Sequence, residues 1–264
     1  MTPARRACLF ALLLSVGLAV GQPAAAQTGP AVAAASDLKF ALDDVAAAFR
    51  AQTGQSVRIS YGSSGNFMRQ IQQDAPFELF LSADETFVFQ LAQQGHTIDR
   101  GALYATGRIV LFAPTRSPLR VDPQLADLRA ALSDGRITRF AIANPEHAPY
   151  GRAAREALQS AGLWDTLQGR LVLGENVSQA AQFAVSGSTQ GGIFAYSLAL
   201  APAFAHAGRY VLVPENMHQP LRQRMVLTRK AGPEARAFYQ YLQQPPARAI
   251  FKRFGFVLPG APLN

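Results

Sequence analysis

Apolar runs short enough to be strands alternate with amphipathic runs long enough to be helices along almost all of this 264-residue chain, and no other feature narrows the fold as much. AVAAAS (Ala31–Ser36) reads as a buried strand. After it, Leu38, Leu42, Val45 and Phe49 recur at helical spacing until Thr53-Gly54, which predicts a helix over Leu38–Gln52. VRISY (Val57–Tyr61) is the next strand, followed by a helix through Phe67 and Ile71, by ELFLSAD (Glu78–Asp84), and by a helix ending near Gly95. RIVLFAP, RFAIANP, RLVLG, GGIFA, RYVLVP and RMVLTR continue the series of strands, starting at residues 108, 139, 170, 191, 209 and 224. Helices are expected at Leu125–Leu132, Arg152–Ala161, Ser178–Val185, Tyr196–Leu200, Pro233–Leu242 and Ala247–Phe251. The pattern predicts an α/β protein of mostly parallel sheets flanked by helices. In such folds ligands bind beyond the carboxyl ends of strands, where loops lead into helix N-termini.

Four of those junctions share a composition. AAASD (Ala33–Asp37), GSSGN (Gly62–Asn66), NPEHAPYG (Asn144–Gly151) and GENVSQ (Gly174–Gln179) are rich in small, amide or hydroxyl groups, and none contains Lys or Arg. Each precedes a helical run, whose first N–H groups lack intrahelical acceptors and carry the positive end of the dipole. Taken alone, Ser63 or Ser64 is an ordinary N-cap. Four together point to a site built from several helix N-termini, able to hold an oxyanion with N–H groups and hydroxyls alone. Hydrogen bonds to an oxyanion contribute about 1.5–3 kcal/mol each, so about six, less the cost of dehydrating a dianion, reach micromolar affinity or tighter. Fixed neutral donors select by size and protonation state, whereas basic side chains accept any anion.

The start of the chain, MTPARRACLFALLLSVGLAVGQPAAAQ, has Arg5 and Arg6 before an apolar run from Leu9 to Val20 and small residues at Ala24–Ala26. A signal peptide over residues 1–26 and export to the periplasm are the expectation. The one cysteine, Cys8, precedes the apolar run, so the mature chain is expected to lack disulfides, thiolate metal sites and thiol chemistry. Net charge is +8, or +6 without Arg5 and Arg6, but the basic residues are scattered with no run longer than Arg229-Lys230. That argues against nucleic acid and for long-range attraction of small anions. His96, His147, His206 and His218 stand apart from any metal-ligand spacing, and GSSGN is not a G-x-S-x-G elbow, so an enzyme, such as a small secreted hydrolase, is the weaker reading. Phe77, Phe80, Phe87 and Phe89 read as packing residues, and RQRMVLTRK (Arg222–Lys230) as a strand with solvated charges.

AAASDLKFALDDVAAAFRAQTG, SYGSSGNFMRQIQQDAPFELFLSADE, ANPEHAPYGRAAREALQSAGLWDTL and IFKRFGFVLP together resemble the periplasmic molybdate-binding proteins of ABC-type importers, in the same order over the whole mature chain. The resemblance implies a two-lobed periplasmic-binding-protein fold (type II), with residues 27–107 and 218–264 in one lobe, 108–217 in the other, and the ligand in the cleft. It implies no enzyme activity and no cofactor. The ligand would be molybdate or tungstate, the partner a membrane permease, and the protein a monomer. Matched position by position, Ser36 and Ser64 are implied hydroxyl donors, and Tyr150 and Val177 backbone N–H donors. Ser63, Asp37 and Tyr196 are weaker candidates. Asp37 stands where some relatives have Asn, and its charge would have to turn away from a dianion. GGIFAYS puts Ala195 where some relatives supply a tyrosine, leaving Tyr196 one residue out of place. Sulfate and phosphate are the rival ligands, and phosphate would need an acceptor for its proton.

Overall fold

The computed structural model describes residues 29–204 and 206–260; the expected signal peptide lies outside them. From the first strand, β1 (Ala31–Ala35), a 3-10 turn (Ser36–Leu38) leads to α1 (Lys39–Thr53), β2 (Arg58–Gly62), α2 (Ser64–Gln72), β3 (Leu79–Ser82), α3 (Glu85–Gln93) and β4 (Ala102–Gly107). The middle of the chain forms β5 (Ile109–Pro114), α4 (Ala126–Ser133), β6 (Phe140–Ala143), α5 (Pro149–Ser160), α6 (Trp164–Leu167), β7 (Leu171–Gly174), α7 (Val177–Val185), β8 (Gly191–Ala195), α8 (Tyr196–Ala199) and β9 (Gly208–Leu212). β10 (Leu221–Leu227), α9 (Pro233–Tyr241) and α10 (Pro245–Arg253) follow.

Among the described residues these strands form two five-stranded sheets with the same plan, β2-β1-β3-β10-β4 and β7-β6-β8-β5-β9. β1 pairs in parallel with β2 and β3, and β6 with β7 and β8, as the alternation predicts. β10 runs antiparallel to β3 and β4, and β5 antiparallel to β8 and β9. Those two are the strands by which the chain arrives from the other sheet, first between Gly107 and Ile109, then between Leu212 and Leu221. The edge strand β4 has no counterpart in the sequence reading, since ALYATG has little β-branched or alternating character.

The first sheet is apolar on both faces because helices cover both. Val32, Ala34, Leu79 and Leu81 face a core shared with α1, α9 and α10, where Phe49 packs on Phe238 and Tyr241 at 5.1 and 5.2 Å between ring centroids. Ala33 and Phe80, one residue out of phase, face Phe67, Ile71, Val88 and Leu91 of α2 and α3. Phe80 is core as expected and Phe77 and Phe87 pack beside it, but Phe89 stacks under the guanidinium groups of Arg100 and Arg224. In the second sheet Phe112 and Phe194 meet at 5.2 Å inside a core closed by α4, α5 and α7. Each fully buried Leu or Phe contributes about 1.5–3 kcal/mol, so each lobe is held by its own core. Ala35 and Ala83, at the ends of β1 and β3, belong to the same buried cluster as Ala148 and Val177 at the starts of α5 and α7.

Candidate oxyanion-binding cleft

The carboxyl ends of β1, β2, β3, β6 and β7 converge between the sheets. There Ala35, Ser36, Asp37, Gly62, Ser63, Ser64, Ala83, Ala148, Pro149, Tyr150 and Val177 enclose a small cavity. The space between them is small, close to the size of one water molecule. Six of the seven residues singled out in the sequence therefore meet at one place, and among the described residues no lysine or arginine lines it.

Neither Ser63 nor Ser64 caps α2 with its side chain. Ser63 occupies the cap position of α2 with extended backbone, yet its side chain makes no capping bond, and its Oγ lies 3.0 Å from His147 Nδ1. Ser64 Oγ accepts the Ala83 N–H at 3.0 Å, which leaves its own proton to donate. Ser36 Oγ donates to Asn176 Oδ1 at 3.0 Å and accepts the Ser178 N–H at 3.2 Å. α5 begins at Pro149 rather than Arg152, because Pro is well suited to the first helical position, and this puts the Tyr150 N–H in the first turn. α7 likewise begins at Val177, capped by Asn176 Oδ1, which accepts the Gln179 N–H at 3.1 Å. First-turn N–H groups have no acceptor within their own helix, so Tyr150 and Val177 each offer one at the cavity.

Behind this lining lies a buried network for which the sequence reading had no place. The Tyr150 hydroxyl donates to Asp37 Oδ2 at 3.0 Å, and Gln223 Nε2 donates to the same oxygen at 2.8 Å. Gln223 Oε1 accepts the Tyr104 hydroxyl at 2.7 Å. The Tyr150 ring thus anchors the site from behind, and Gly107 leaves the room it needs, because a Cβ there would collide with the Tyr150 hydroxyl. Burial pushes Asp37 up to about 6, offset in part by the bonds from Gln223 and Tyr150. Gln223 was readable: in LRQRMVL it is a polar residue at an inward position of an alternating strand.

Tyr196, the weaker candidate one residue out of place in GGIFAYS, starts α8 outside the cavity lining, its ring 5.9 Å from that of Tyr210 and packed over Gly255.

The lobes touch directly across the cleft. The Gly65 N–H donates to the His147 carbonyl at 2.9 Å, Ser178 Oγ to the Ser36 carbonyl at 2.8 Å, and Ser197 Oγ to the Asp37 carbonyl at 2.8 Å. Asn66 bonds Glu175, and Arg152 bridges to Asp84 at 3.2 Å. The arrangement is a closed cleft around neutral donors. Among the described residues no group of three or more His, Cys, Asp or Glu is placed to hold a metal ion.

Comparison with known proteins agrees with this architecture. Residues 30–257 match the family described as bacterial extracellular solute-binding protein. The chain is 37% identical to the molybdate-binding protein ModA of Rhodobacter capsulatus over 96% of either chain. It is 34% identical to that of Azotobacter vinelandii over 95% of this chain and 98% of the relative. The solved periplasmic molybdate-binding protein of Azotobacter vinelandii superposes with a TM-score of 0.80 at 34% identity, covering 87% of this chain and 99% of that one. The sulfate-binding protein SubI of Mycobacterium tuberculosis, 16% identical with a TM-score of 0.73 over 88% of each chain, shares the fold. With its two-lobed periplasmic-binding-protein architecture, the chain belongs to the bacterial extracellular solute-binding proteins, and within them to the ModA group.

Proposed function

We propose that this protein captures molybdate, and tungstate with it, in the interlobe cleft and delivers it to the membrane permease of an ABC importer. The observation that carries the reading is the cavity lining: hydroxyls and first-turn N–H groups from several helices, and no basic side chain. Relatives whose names record molybdate binding match nearly the full length of the chain. In this reading Ser64 donates its hydroxyl, Ser36 turns its hydroxyl from Asn176 Oδ1 to the anion, Tyr150 and Val177 donate N–H groups, and Ser63 and Asp37 complete the rim. All of them address the oxygens of the anion, and none ligates the metal centre. The bound ion would touch the lobe of residues 27–107 and 218–264 through the serines, and the lobe of residues 108–217 through Tyr150 and Val177, so that binding drives hinge closure. The chain would act as a monomer in the periplasm after removal of residues 1–26, without catalysis or cofactor.

Calorimetric titration with molybdate, tungstate, sulfate and phosphate in turn tests the reading. Tight one-to-one binding of the first two, with the others far weaker, is the expected result. Sulfate binding as tight as molybdate, or no oxyanion binding at all, refutes it.

A further inference from the structure

A buried carboxyl beside a site for a dianion is an electrostatic contradiction, and Asp37 presents it. The residue is 1% exposed and lines the cavity with Ser36, Ser64 and Tyr150. Its two oxygens differ. Oδ2 receives both the Tyr150 hydroxyl and the Gln223 amide, and Gln223 is held in that sense because its Oε1 accepts from Tyr104. Oδ1 is buried and has no partner. A proton on this carboxyl would therefore sit on Oδ1, where the protein offers nothing to receive it.

Among the described residues no cation compensates the charge. The titratable groups facing Asp37 are Tyr150 from α5 and, through Gln223, Tyr104 from β4, and burial pushes both phenols up, so both stay neutral. α7 and α8 meet the turn with the hydroxyls of Ser178 and Ser197; α7 has no charged residue and α8 only the phenol of Tyr196. On α1 and β2, Lys39 is exposed and paired with Asp43 at 2.9 Å, Tyr61 donates to Asp43, Arg58 is exposed, and Asp44 pairs with Arg253. The charged groups of α5 and β10 are paired elsewhere: Arg152 with Asp84 and Glu156, Arg155 with Glu146, and Arg222 and Arg224 with Glu85. Arg108, at the crossover, is paired with Glu215, and His147 turns its Nδ1 to Ser63.

We propose that Asp37 enters the complex as the neutral carboxylic acid, its proton on Oδ1 and donated to the bound oxyanion, so that one solvent proton is taken up with each dianion. The bond formed is O–H on Asp37, from a carboxylate and a proton of the buffer; no other group changes. Asp37 is thereby a specificity-determining residue. With it neutral the cavity offers no charged acceptor, and an anion that carries its own proton, such as hydrogen phosphate, loses the strongest partner for that proton. Burial already pushes Asp37 up to about 6, and a dianion within hydrogen-bond reach pushes it further the same way. The inference rests on the molybdate reading above.

The test is calorimetric titration of the purified protein with sodium molybdate, in pairs of buffers of different protonation enthalpy, at pH 5, 7 and 8. With Asp37 near 6 before binding, uptake should be about 0.9 proton per anion at pH 7 and about 0.1 at pH 5. The dissociation constant should rise about tenfold from pH 7 to 8. Asp37→Asn keeps a donor of the same shape without the titration; it should still bind molybdate, with no proton uptake and a flat pH profile. Buffer-independent enthalpy with pH-independent affinity in the wild type overturns the proposal. So does undiminished uptake in folded D37N, or phosphate bound as tightly as molybdate. Should D37N fail to fold, the wild-type buffer series decides alone. Absence of molybdate binding at every pH instead refutes the functional reading on which the proposal stands.

Discussion

Gly65 is where a single methyl group should separate closure from folding. It lies in the first turn of α2, and its N–H donates across the cleft to the His147 carbonyl at 2.9 Å. A Cβ on residue 65 would stand 2.7 Å from that carbonyl oxygen and 3.1 Å from both Cα and Cβ of His147. These are mainly backbone atoms, in a loop also tied to Ser63, so they cannot swing aside as the tip of a flexible side chain would. In the closed form Gly65→Ala loses a hydrogen bond of about 1 kcal/mol and adds overlap of about 1–3 kcal/mol. At 1.4 kcal/mol per factor of ten, binding that requires closure weakens about 30- to 1000-fold. In the open form the methyl meets solvent, and Ala in place of Gly in a helix stabilises by about 0.5–1 kcal/mol. The melting temperature without ligand should therefore hold or rise while affinity falls. Molybdate titration, thermal melting and small-angle scattering with and without ligand read the three quantities. Affinity within threefold of wild type, with the same compaction, would show that this contact plays no part in closure. A melting temperature that drops with the affinity would mean that the fold, not the cleft, had been damaged.

Three further outcomes follow from the same geometry. Ser64→Ala removes a donor to the anion and strands the Ala83 N–H, so affinity should fall about tenfold to a hundredfold and stability by about 1–3 kcal/mol, with ester hydrolysis by the wild type at the buffer rate. Asp37, at about 6 against 3.8 when unfolded, keeps a proton the unfolded chain has already lost; unfolding free energy should decline by about 3 kcal/mol as pH rises from about 4 to about 6, and denaturant titration of D37N should show that slope removed. Tyr196→Phe should bind molybdate within about twofold of wild type, a prediction undone by any larger loss, because the ring packs on Tyr210 and Gly255 instead of the cavity.

What was legible in the sequence was what local chemistry controls. The apolar runs at Ala31–Ala35 and Leu79–Ser82 declare buried strands, and the serines and amides after them declare donor-rich helix starts. Pairing across distance is another matter. That Gln223 would stand behind Asp37, 186 residues away, depends on β10 lying beside β4, and neither strand's register can be read from its own residues. β4 escaped notice because an edge strand of mostly small residues has little periodic signal. The same limit explains Tyr150: its backbone role follows from the PYG helix start, but its ring role needs Asp37 and Gln223 as neighbours.

The neutrality of the cleft can be tested by breaking it where the fold would tolerate the charge. Asn176 caps α7 through Oδ1, and the same oxygen receives the Ser36 hydroxyl, one of the expected donors to the anion. Asn176→Asp keeps the shape and the acceptor, and a carboxylate at a helix N-terminus stabilises by about 0.3–1 kcal/mol, so the melting temperature should hold or rise. Taking about 6 Å as the separation from a dianion, one added negative charge costs about 1.4 kcal/mol at the dielectric of water and about 5.5 kcal/mol at an effective value of 20. Molybdate affinity should thus fall at least about tenfold, less steeply at high salt, while the fold gains. A cleft relying on distant basic charge would barely notice the change, since the net charge of the chain moves only by one from +8. Wild-type affinity in N176D would mean that the anion does not sit among these helix N-termini. Opposite signs in the two readouts would place it there.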